Sequence, residues 1–168
     1  PVWTPRVLEA LSRAGWKGTF FIVGERAANQ PDLVQRIVDE GHAIGNHTWT
    51  HSPPHETTAQ TLWEEVQRTC ELLEHLTGKS TKLVRPPLGH LTCEKFAALW
   101  RARQSIVLWN VDPRDFAMQR SDAAAAWADA YAPAAGDIVL LHDRLPFAAQ
   151  IVKNLSQRRR NQFRSVAL

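Results

Sequence analysis

Short apolar runs alternate with amphipathic segments along this chain, and a cluster of polar residues follows most of the apolar runs. The sustained alternation of predicted strands and helices indicates a parallel sheet with helical crossovers. Polar clusters at the strand ends favour a barrel over an open sheet. The predicted strands are residues 18–23, 43–45, 82–84, 105–111, 138–141 and 163–168.

The segments between these runs carry apolar residues at helical spacing. Helices are predicted to begin near residues 4, 31, 58, 94, 121 and 147. In the helix over residues 94–103, Phe96, Leu99 and Trp100 are expected to form the buried face.

A length of 168 residues and a net charge of +3 fit one domain, residues 1–168, with a sizeable core. The dense basic run at residues 158–160 has no interleaved aromatic and is interpreted as a solvated helix end, so no nucleic-acid partner is predicted. No apolar run reaches membrane-spanning length, so no membrane span is predicted. We expect a monomer.

Two histidines four residues apart follow the second predicted strand. If residues 47–51 (HTWTH) curl helically, the imidazoles of His47 and His51 face the same side and can share one metal ion. Neutral imidazole suits zinc, cobalt, nickel or iron, so the spacing does not identify the metal. The alternative is two unrelated loop histidines. His55 lies beyond a Pro-Pro break and is expected to face solvent.

Arg85 follows the third predicted strand and enters the turn Pro86-Pro87-Leu88-Gly89. Two prolines stiffen this exit, and such a turn can aim a backbone N–H into a pocket as an oxyanion donor. A buried arginine needs a carboxylate partner, because an unpaired buried charge is costly. The alternative is a structural salt bridge.

Carboxylates and a third histidine follow the last two strands before the C-terminal helix. Asp112 and Asp115 come after residues 105–111, and His142 comes after residues 138–141. A carboxylate that accepts a hydrogen bond from a histidine orients the ring for work as a general acid. The alternative is a structural Asp–His pair.

Taken in order, these clusters resemble the motifs of the polysaccharide deacetylase family, also called the NodB-homology or carbohydrate esterase family 4 domain. Residues 47–51 are similar to its pair of metal-binding histidines, and residues 85–89 to its Arg-Pro-Pro turn. Asp115-Phe116 resembles its aspartate before an aromatic, and residues 140–142 its Leu-x-His. Residues 18–24 resemble the family's second strand, so the resemblance covers essentially the whole chain.

The resemblance implies an α/β fold, a distorted (β/α)7 TIM-like barrel, whose members remove N- or O-acetyl groups from chitin oligomers, peptidoglycan or xylan. It implies an acetylated polysaccharide as partner, and a place in the cell envelope or outside the cell. It also implies a divalent metal, zinc with cobalt or nickel as alternatives, bound by His47 and His51.

The resemblance also assigns roles around that metal. Arg85 holds the catalytic base, and His142, oriented by Asp115, is the general acid. Four residues line the substrate site: Leu88 through its backbone N–H, Leu140 in the acetyl pocket, and Phe116 and Pro87 along the groove. Leu88 and Phe116 stand where the family has tyrosine and tryptophan.

The family's Thr-Phe-Asp-Asp-Gly motif is absent from these residues. Its two aspartates are the catalytic base and the third protein ligand to the metal. We therefore expect the chain to be N-terminally truncated just downstream of the motif, with the first strand missing. We expect the complete protein to be a deacetylase and residues 1–168 alone to be inactive.

Two other hypotheses remain. A non-catalytic glycan-binding member of the same fold would have lost the acidic motif, and the coding sequence before Pro1 distinguishes it from an enzyme. An unrelated structural zinc domain would need four closed ligands, and the chain offers no such set.

Overall fold

The computed structural model describes residues 2–158 and 163–168. These residues form two compact units: one is residues 19–108, and the other combines residues 2–18, 109–158 and 163–168. Arg159 and Arg160, from the basic run, lie outside the described residues. The expectation of a single domain stays a prediction.

Helices and short strands alternate in the described residues, as the sequence predicts. The helices are α1 (Thr4–Ala14), α2 (Gly24–Ala28), α3 (Pro31–Asp39), α4 (Ala59–Thr77), α5 (Cys93–Arg101), α6 (Ser121–Ala130) and α7 (Phe147–Arg158). The strands are β1 (Thr19–Ile22), β2 (Ala43–Asn46), β3 (Leu83–Val84) and β4 (Ser105–Ile106). None of the helices in this part of the chain is both long and apolar enough to cross a bilayer.

The unit of residues 19–108 is built on a parallel four-stranded sheet in the order β1-β2-β3-β4. β1 and β2 are in register from Thr19 opposite Ala43 to Ile22 opposite Asn46. Because all four strands run the same way, the loops after their carboxyl ends leave from one edge of the sheet. The polar clusters at residues 47–51 and 85–89 are two of these loops.

Helix α4 covers this sheet, and its ends follow from local chemistry. Thr58 and Thr61 form a reciprocal capping box at its start, and Gly78 adopts a left-handed backbone at its end. Between them, one face of the helix is buried at three- and four-residue spacing. The buried residues of this face are Leu62, Val66, Thr69 and Leu73.

The second unit packs α7 against both α1 and α6. Val7, Leu8 and Leu11 supply the buried face of α1, and Ile151 is fully buried in α7. A single parallel bridge joins Val111 to Val139. The bridge joins the end of the predicted strand 105–111 to the second residue of the predicted strand 138–141.

The strand predictions at residues 105–111, 138–141 and 163–168 are wrong in extent or in kind. Within residues 105–111 the strand covers only Ser105–Ile106, which is β4. Within residues 138–141 only Val139 pairs as a β-bridge. Residues 163–168 are not a strand. Their contact with the segment before β1 includes Ser165, whose carbonyl accepts from Lys17 N at 3.1 Å and whose Oγ donates to Lys17 O at 2.8 Å.

The predicted buried face of α5 is right at Leu99 but wrong at Phe96 and Trp100. Leu99 is buried, but Phe96 and Trp100 are 50% and 69% exposed and stack on each other. The inner position is taken instead by Lys95, which is 3% exposed and donates from Nζ to Oγ1 of Thr57 at 2.9 Å. A lysine can occupy this position because its ammonium is hydrogen-bonded there.

Gly24 at the start of α2 lies too close to its neighbours for a side chain. A Cβ added there would lie 2.4 Å from Cε3 of Trp49 and 2.5 Å from Oγ1 of Thr69. We predict that Gly24→Ala destabilises the protein by about 1–3 kcal/mol, the usual cost of overpacking. Helix propensity alone would favour alanine by about 1 kcal/mol, so the sign of the change tests the contact.

Gly18→Ala is the matched control, since its added Cβ meets only Leu11 Cδ1 at an ordinary 3.7 Å. Urea unfolding of both variants measures the difference. A Gly24→Ala protein as stable as the Gly18→Ala protein would show that Trp49 does not pack as described.

Candidate active site

The two histidines that follow β2 lie side by side. We call residues 47–51 the histidine loop. The ring centroids of His47 and His51 are 4.6 Å apart, with an angle of 75° between the ring planes. The predicted helical curl is wrong, because Thr48 and His51 both adopt left-handed backbone, with φ of 63° and 61°. These two conformations, rather than a helical turn, bring the rings together.

The orientation of His47 is set by β1 and by the segment after β3. Its backbone N–H donates to Ile22 O at 2.9 Å. Its ring Nδ1 lies 2.7 Å from Arg85 O. Because a carbonyl oxygen only accepts, the proton belongs on Nδ1 and the lone pair on Nε2. Metal-binding histidines are commonly fixed in this way, with one nitrogen bound to a carbonyl and the other as ligand.

Asn46 connects α4 to the histidine loop from a fully buried position. Its Nδ2 donates to Val66 O at 2.7 Å, and its Oδ1 accepts from Thr48 N at 2.9 Å. Thr48 Oγ1 in turn accepts from His51 N at 3.1 Å. A chain of hydrogen bonds therefore runs from α4 to the backbone of the second histidine.

Glu65 of α4 accepts from the middle of the loop. Its Oε2 accepts from Trp49 N at 3.0 Å and Thr50 N at 3.1 Å, and its Oε1 accepts from Thr50 Oγ1 at 2.7 Å. Burial alone would raise the pKa of Glu65, but the hydrogen bonds from Thr50 and Trp49 outweigh it and lower the pKa. The carboxylate is therefore ionised at neutral pH.

Arg85 is buried beside this loop. Its Nε donates to Val107 O at 3.2 Å and its Nη2 to Leu108 O at 3.3 Å, and the guanidinium lies 4.0 Å from the ring centroid of Phe21. Burial lowers the pKa of Arg85 to about 10, which leaves it protonated at neutral pH. The expected carboxylate partner stays a prediction.

The turn after Arg85 has buried Pro86 and Pro87 and an exposed Leu88, with φ of 56° at Leu88. Left-handed non-glycine residues are uncommon, and they cluster at functional sites. In the described residues they are Thr48, His51, Leu88, Arg103 and Arg114, and all but Arg103 lie in the predicted polar clusters. The oxyanion role of the Leu88 N–H stays a prediction.

The second unit holds Asp115 and His142 together. Asp115 is 1% exposed; its Oδ1 lies 2.7 Å from His142 Nδ1, and its Oδ2 accepts from His142 N at 2.7 Å. The predicted hydrogen bond between these residues is thus confirmed. The ring of Phe116 meets the imidazole edge-on, with centroids 5.2 Å apart. Asp112 instead accepts from Arg114 N at 2.8 Å, as in a turn.

Leu140 is buried two residues before His142, and its N–H donates to Val111 O at 2.9 Å. Its place in an acetyl pocket stays a prediction. The structure therefore brings His47, His51 and Arg85 together in one unit, and Asp115, Phe116 and His142 in the other. That all the predicted side chains share one groove also stays a prediction.

The two imidazoles of the histidine loop fit two positions of a tetrahedral metal site. Among residues 2–158 and 163–168, no three His, Cys, Asp or Glu side chains group closely enough to hold a metal ion. The metal-binding role of His47 and His51 therefore stays a prediction.

Sequence reasoning missed Asn46, Glu65 and Lys95. Asn46 had a signal, since an asparagine that ends a buried strand requires partners. Glu65 had none, because the sequence does not show which of the two consecutive glutamates of α4 faces the loop. Lys95 had none either, because a lysine next to an apolar residue in a helix is usually exposed, whereas here it is buried.

Comparison with known proteins identifies the family. The sequence profile of the polysaccharide deacetylase family matches residues 1–103. A peptidoglycan-N-acetylglucosamine deacetylase of Bacillus cereus is 36% identical over 116 residues, which make up 68% of this chain and 42% of that protein. A chitooligosaccharide deacetylase of a Bradyrhizobium species is 35% identical over 147 residues, 87% of this chain and 67% of that protein. The chain thus spans less than half of the first relative and about two thirds of the second.

Solved structures agree with the sequence comparison. The peptidoglycan deacetylase PdaC from Bacillus subtilis matches with a TM-score of 0.90 and 25% identity, over 100% of this chain and 82% of that one. A CE4 family pseudoenzyme from Bacillus anthracis matches with a TM-score of 0.85 and 23% identity, over 98% of this chain and 58% of that one. The second likeness concerns the fold alone.

The chain belongs to the polysaccharide deacetylase family, and its fold is the α/β fold of the family's carbohydrate esterases.

Asn46 offers a test of the connection between α4 and the loop. We predict that Asn46→Ala lowers the free energy of unfolding by about 2–3 kcal/mol, because it leaves the buried N–H of Thr48 without its acceptor. Asn29→Ala is the control, because Asn29 makes one exposed hydrogen bond, to Glu25 O. Equal losses in the two variants on urea unfolding would contradict the role given to Asn46.

Proposed function

We propose that the protein to which this domain belongs hydrolyses N- or O-acetyl groups of an acetylated polysaccharide. The observation that carries the proposal is the histidine loop, whose imidazoles lie 4.6 Å apart while His47 Nδ1 is tied to the carbonyl of Arg85. Relatives named as peptidoglycan and chitooligosaccharide deacetylases support a polysaccharide of this type. We propose no choice between the two polymers.

His47 and His51 would hold a divalent metal, zinc in our proposal, with cobalt or nickel as alternatives. When bound, such an ion polarises a carbonyl and makes water a stronger nucleophile. Both imidazoles are presented by a loop whose backbone is fixed by Asn46 and Glu65. The donor chemistry of two neutral imidazoles suits all three metals.

The proposed hydrolysis joins a water oxygen to the acetyl carbonyl carbon and breaks the bond from that carbon to the sugar nitrogen or oxygen. The proton of the water passes to a carboxylate base, a role that the family resemblance gives to an aspartate of the Asp-Asp-Gly motif. His142 donates a proton to the leaving nitrogen or oxygen, and acetate is released. Asp115 accepts from Nδ1 of His142, which directs Nε2 as the donating nitrogen.

A non-catalytic glycan-binding protein is the second candidate. A protein of this kind could be built on the same fold, since a CE4 pseudoenzyme shares it. Such a protein would bind acetylated glycans without releasing acetate.

We predict that residues 1–168 alone release little or no acetate from an acetylated chito-oligosaccharide or from peptidoglycan. The family's acidic motif, which would supply the catalytic base and the third metal ligand, is absent from these residues. Adding a strand that carries the Asp-Asp-Gly motif before residue 1 should yield zinc-dependent acetate release that EDTA abolishes. Robust turnover by residues 1–168 would reveal a different base, and no turnover by the extended form would favour the glycan-binding candidate.

In the extended form, we predict that His142→Ala lowers kcat by about 10²–10⁴-fold, the range usual for loss of a general acid. Substrate binding should change less, and Asp115→Ala should lower kcat in the same direction but by a smaller factor. His55→Ala is the control, because the side chain of His55 is exposed and pairs only with Glu56 in the salt bridges described. A His142→Ala protein with near-native kcat would reduce His142 to a structural role.

A further inference from the structure

The histidine loop is held from two sides by backbone and side-chain partners. On one side, the first amides of α2 donate to the loop carbonyls, Gly24 N to Thr48 O at 2.9 Å and Glu25 N to Trp49 O at 3.1 Å. On the other side, the loop amides of Trp49 and Thr50 both donate to one carboxylate oxygen of Glu65. One side chain therefore satisfies two successive amides of the loop.

A second residue of α4 also contacts the histidine loop. The guanidinium of Arg68, three residues after Glu65, lies 3.6 Å from the ring centroid of Trp49. Residues three apart share a helix face, so Glu65 and Arg68 hold the backbone and side chain of Trp49 from the same surface. Gly24 also packs closely against the Trp49 ring, so this side chain is contacted from both α2 and α4.

The conformation that Glu65 holds is an uncommon one. Thr48 and His51 flank the two amides, and both have left-handed backbone that non-glycine residues rarely adopt. The direction of the His51 side chain depends on that backbone. If the amides of Trp49 and Thr50 turned to water, the loop could relax to ordinary backbone angles, and the two rings would separate.

We infer that Glu65 is a positioning residue for the histidine pair, which acts through the backbone of Trp49 and Thr50 to fix the relative placement of the two imidazoles. This inference rests on the proposed function for its purpose, the preorganisation of two metal ligands. Partners of this kind commonly change metal affinity when they are removed.

Glu64 provides a matched control on the same helix. It precedes Glu65 directly, is exposed, and accepts from Gln60 Nε2 at 2.8 Å on the solvent face. Removing either glutamate takes the same charge from the same turn of α4. A difference between the two variants therefore reports the contact with the loop and not the charge of the helix.

The experiment compares the full chain with Glu65→Ala, Glu65→Gln and Glu64→Ala. Amide hydrogen exchange of Trp49 and Thr50, and the nuclear Overhauser effect between the rings of His47 and His51, report the loop without any metal. In Glu65→Ala we expect exchange at these amides to be at least about tenfold faster and the ring contact to be lost, while core amides of α4 are unchanged.

Glu65→Gln should recover part of the protection, because its amide oxygen still accepts from backbone N–H groups. Glu64→Ala should match the wild type in every readout. If Glu65→Ala does not fold, the comparison of Glu65→Gln with Glu64→Ala still decides the question. Wild-type exchange and an intact ring contact in the folded Glu65 variants would overturn the inference.

Zinc titration followed on the imidazole signals provides the second readout, since it detects weak binding. We expect Glu65→Ala to weaken zinc binding by about 10–100-fold, and Glu64→Ala to leave it unchanged. Equal affinity in wild type and Glu65→Ala would overturn the positioning role for metal binding. If neither the wild-type chain nor its extended form binds zinc at the histidine pair, the proposed metal chemistry fails. The amide exchange and the ring contact would still test the positioning role of Glu65 separately.

Discussion

The site in the unit of residues 19–108 depends on hydrogen bonding of an irregular loop at the end of β2. Buried backbone amides and carbonyls require partners, and a loop with no ladder of its own must take them from its neighbours. The histidine loop takes them from β1 through Ile22, from the end of β2 through Asn46, from the start of α2, and from α4 through Glu65. The placement of both histidines follows from these bonds.

The same bonds explain why uncommon backbone angles persist at Thr48 and His51. Each such angle costs about 1–3 kcal/mol and is retained only where the surroundings over-determine it. Here the Asn46 side chain accepts from Thr48 N, and Thr48 Oγ1 accepts from His51 N. The Asp115–His142 pair in the other unit is simpler, because one buried carboxylate holds both the ring and the backbone of the histidine.

Much of the fold could be predicted from periodicity and end signals. α4 begins and ends where its threonine cap and Gly78 place it, and β1 to β3 lie within about one residue of the expected runs. The last predicted strand, residues 163–168, could not be predicted correctly, since an apolar run does not show whether a neighbouring strand is there to pair with it.

On α5, the apolar residues 96 and 100 suggested the inner face, but a hydrogen-bonded Lys95 occupies it. The residues of the candidate site could be named from their motifs, whereas the left-handed backbone and the role of Glu65 arise from tertiary contacts that no local pattern encodes.

A crystal structure of the extended protein soaked with zinc would test the central claim most directly, namely that the histidine loop is a metal-binding loop. We predict one zinc ion bound by both His47 and His51, with Zn–N distances of about 2.0–2.1 Å. His47 should bind through Nε2, with its Nδ1 still bonded to the carbonyl of Arg85. Zinc bound away from this pair, or bound by Nδ1 of His47 with the Arg85 bond broken, would contradict the account.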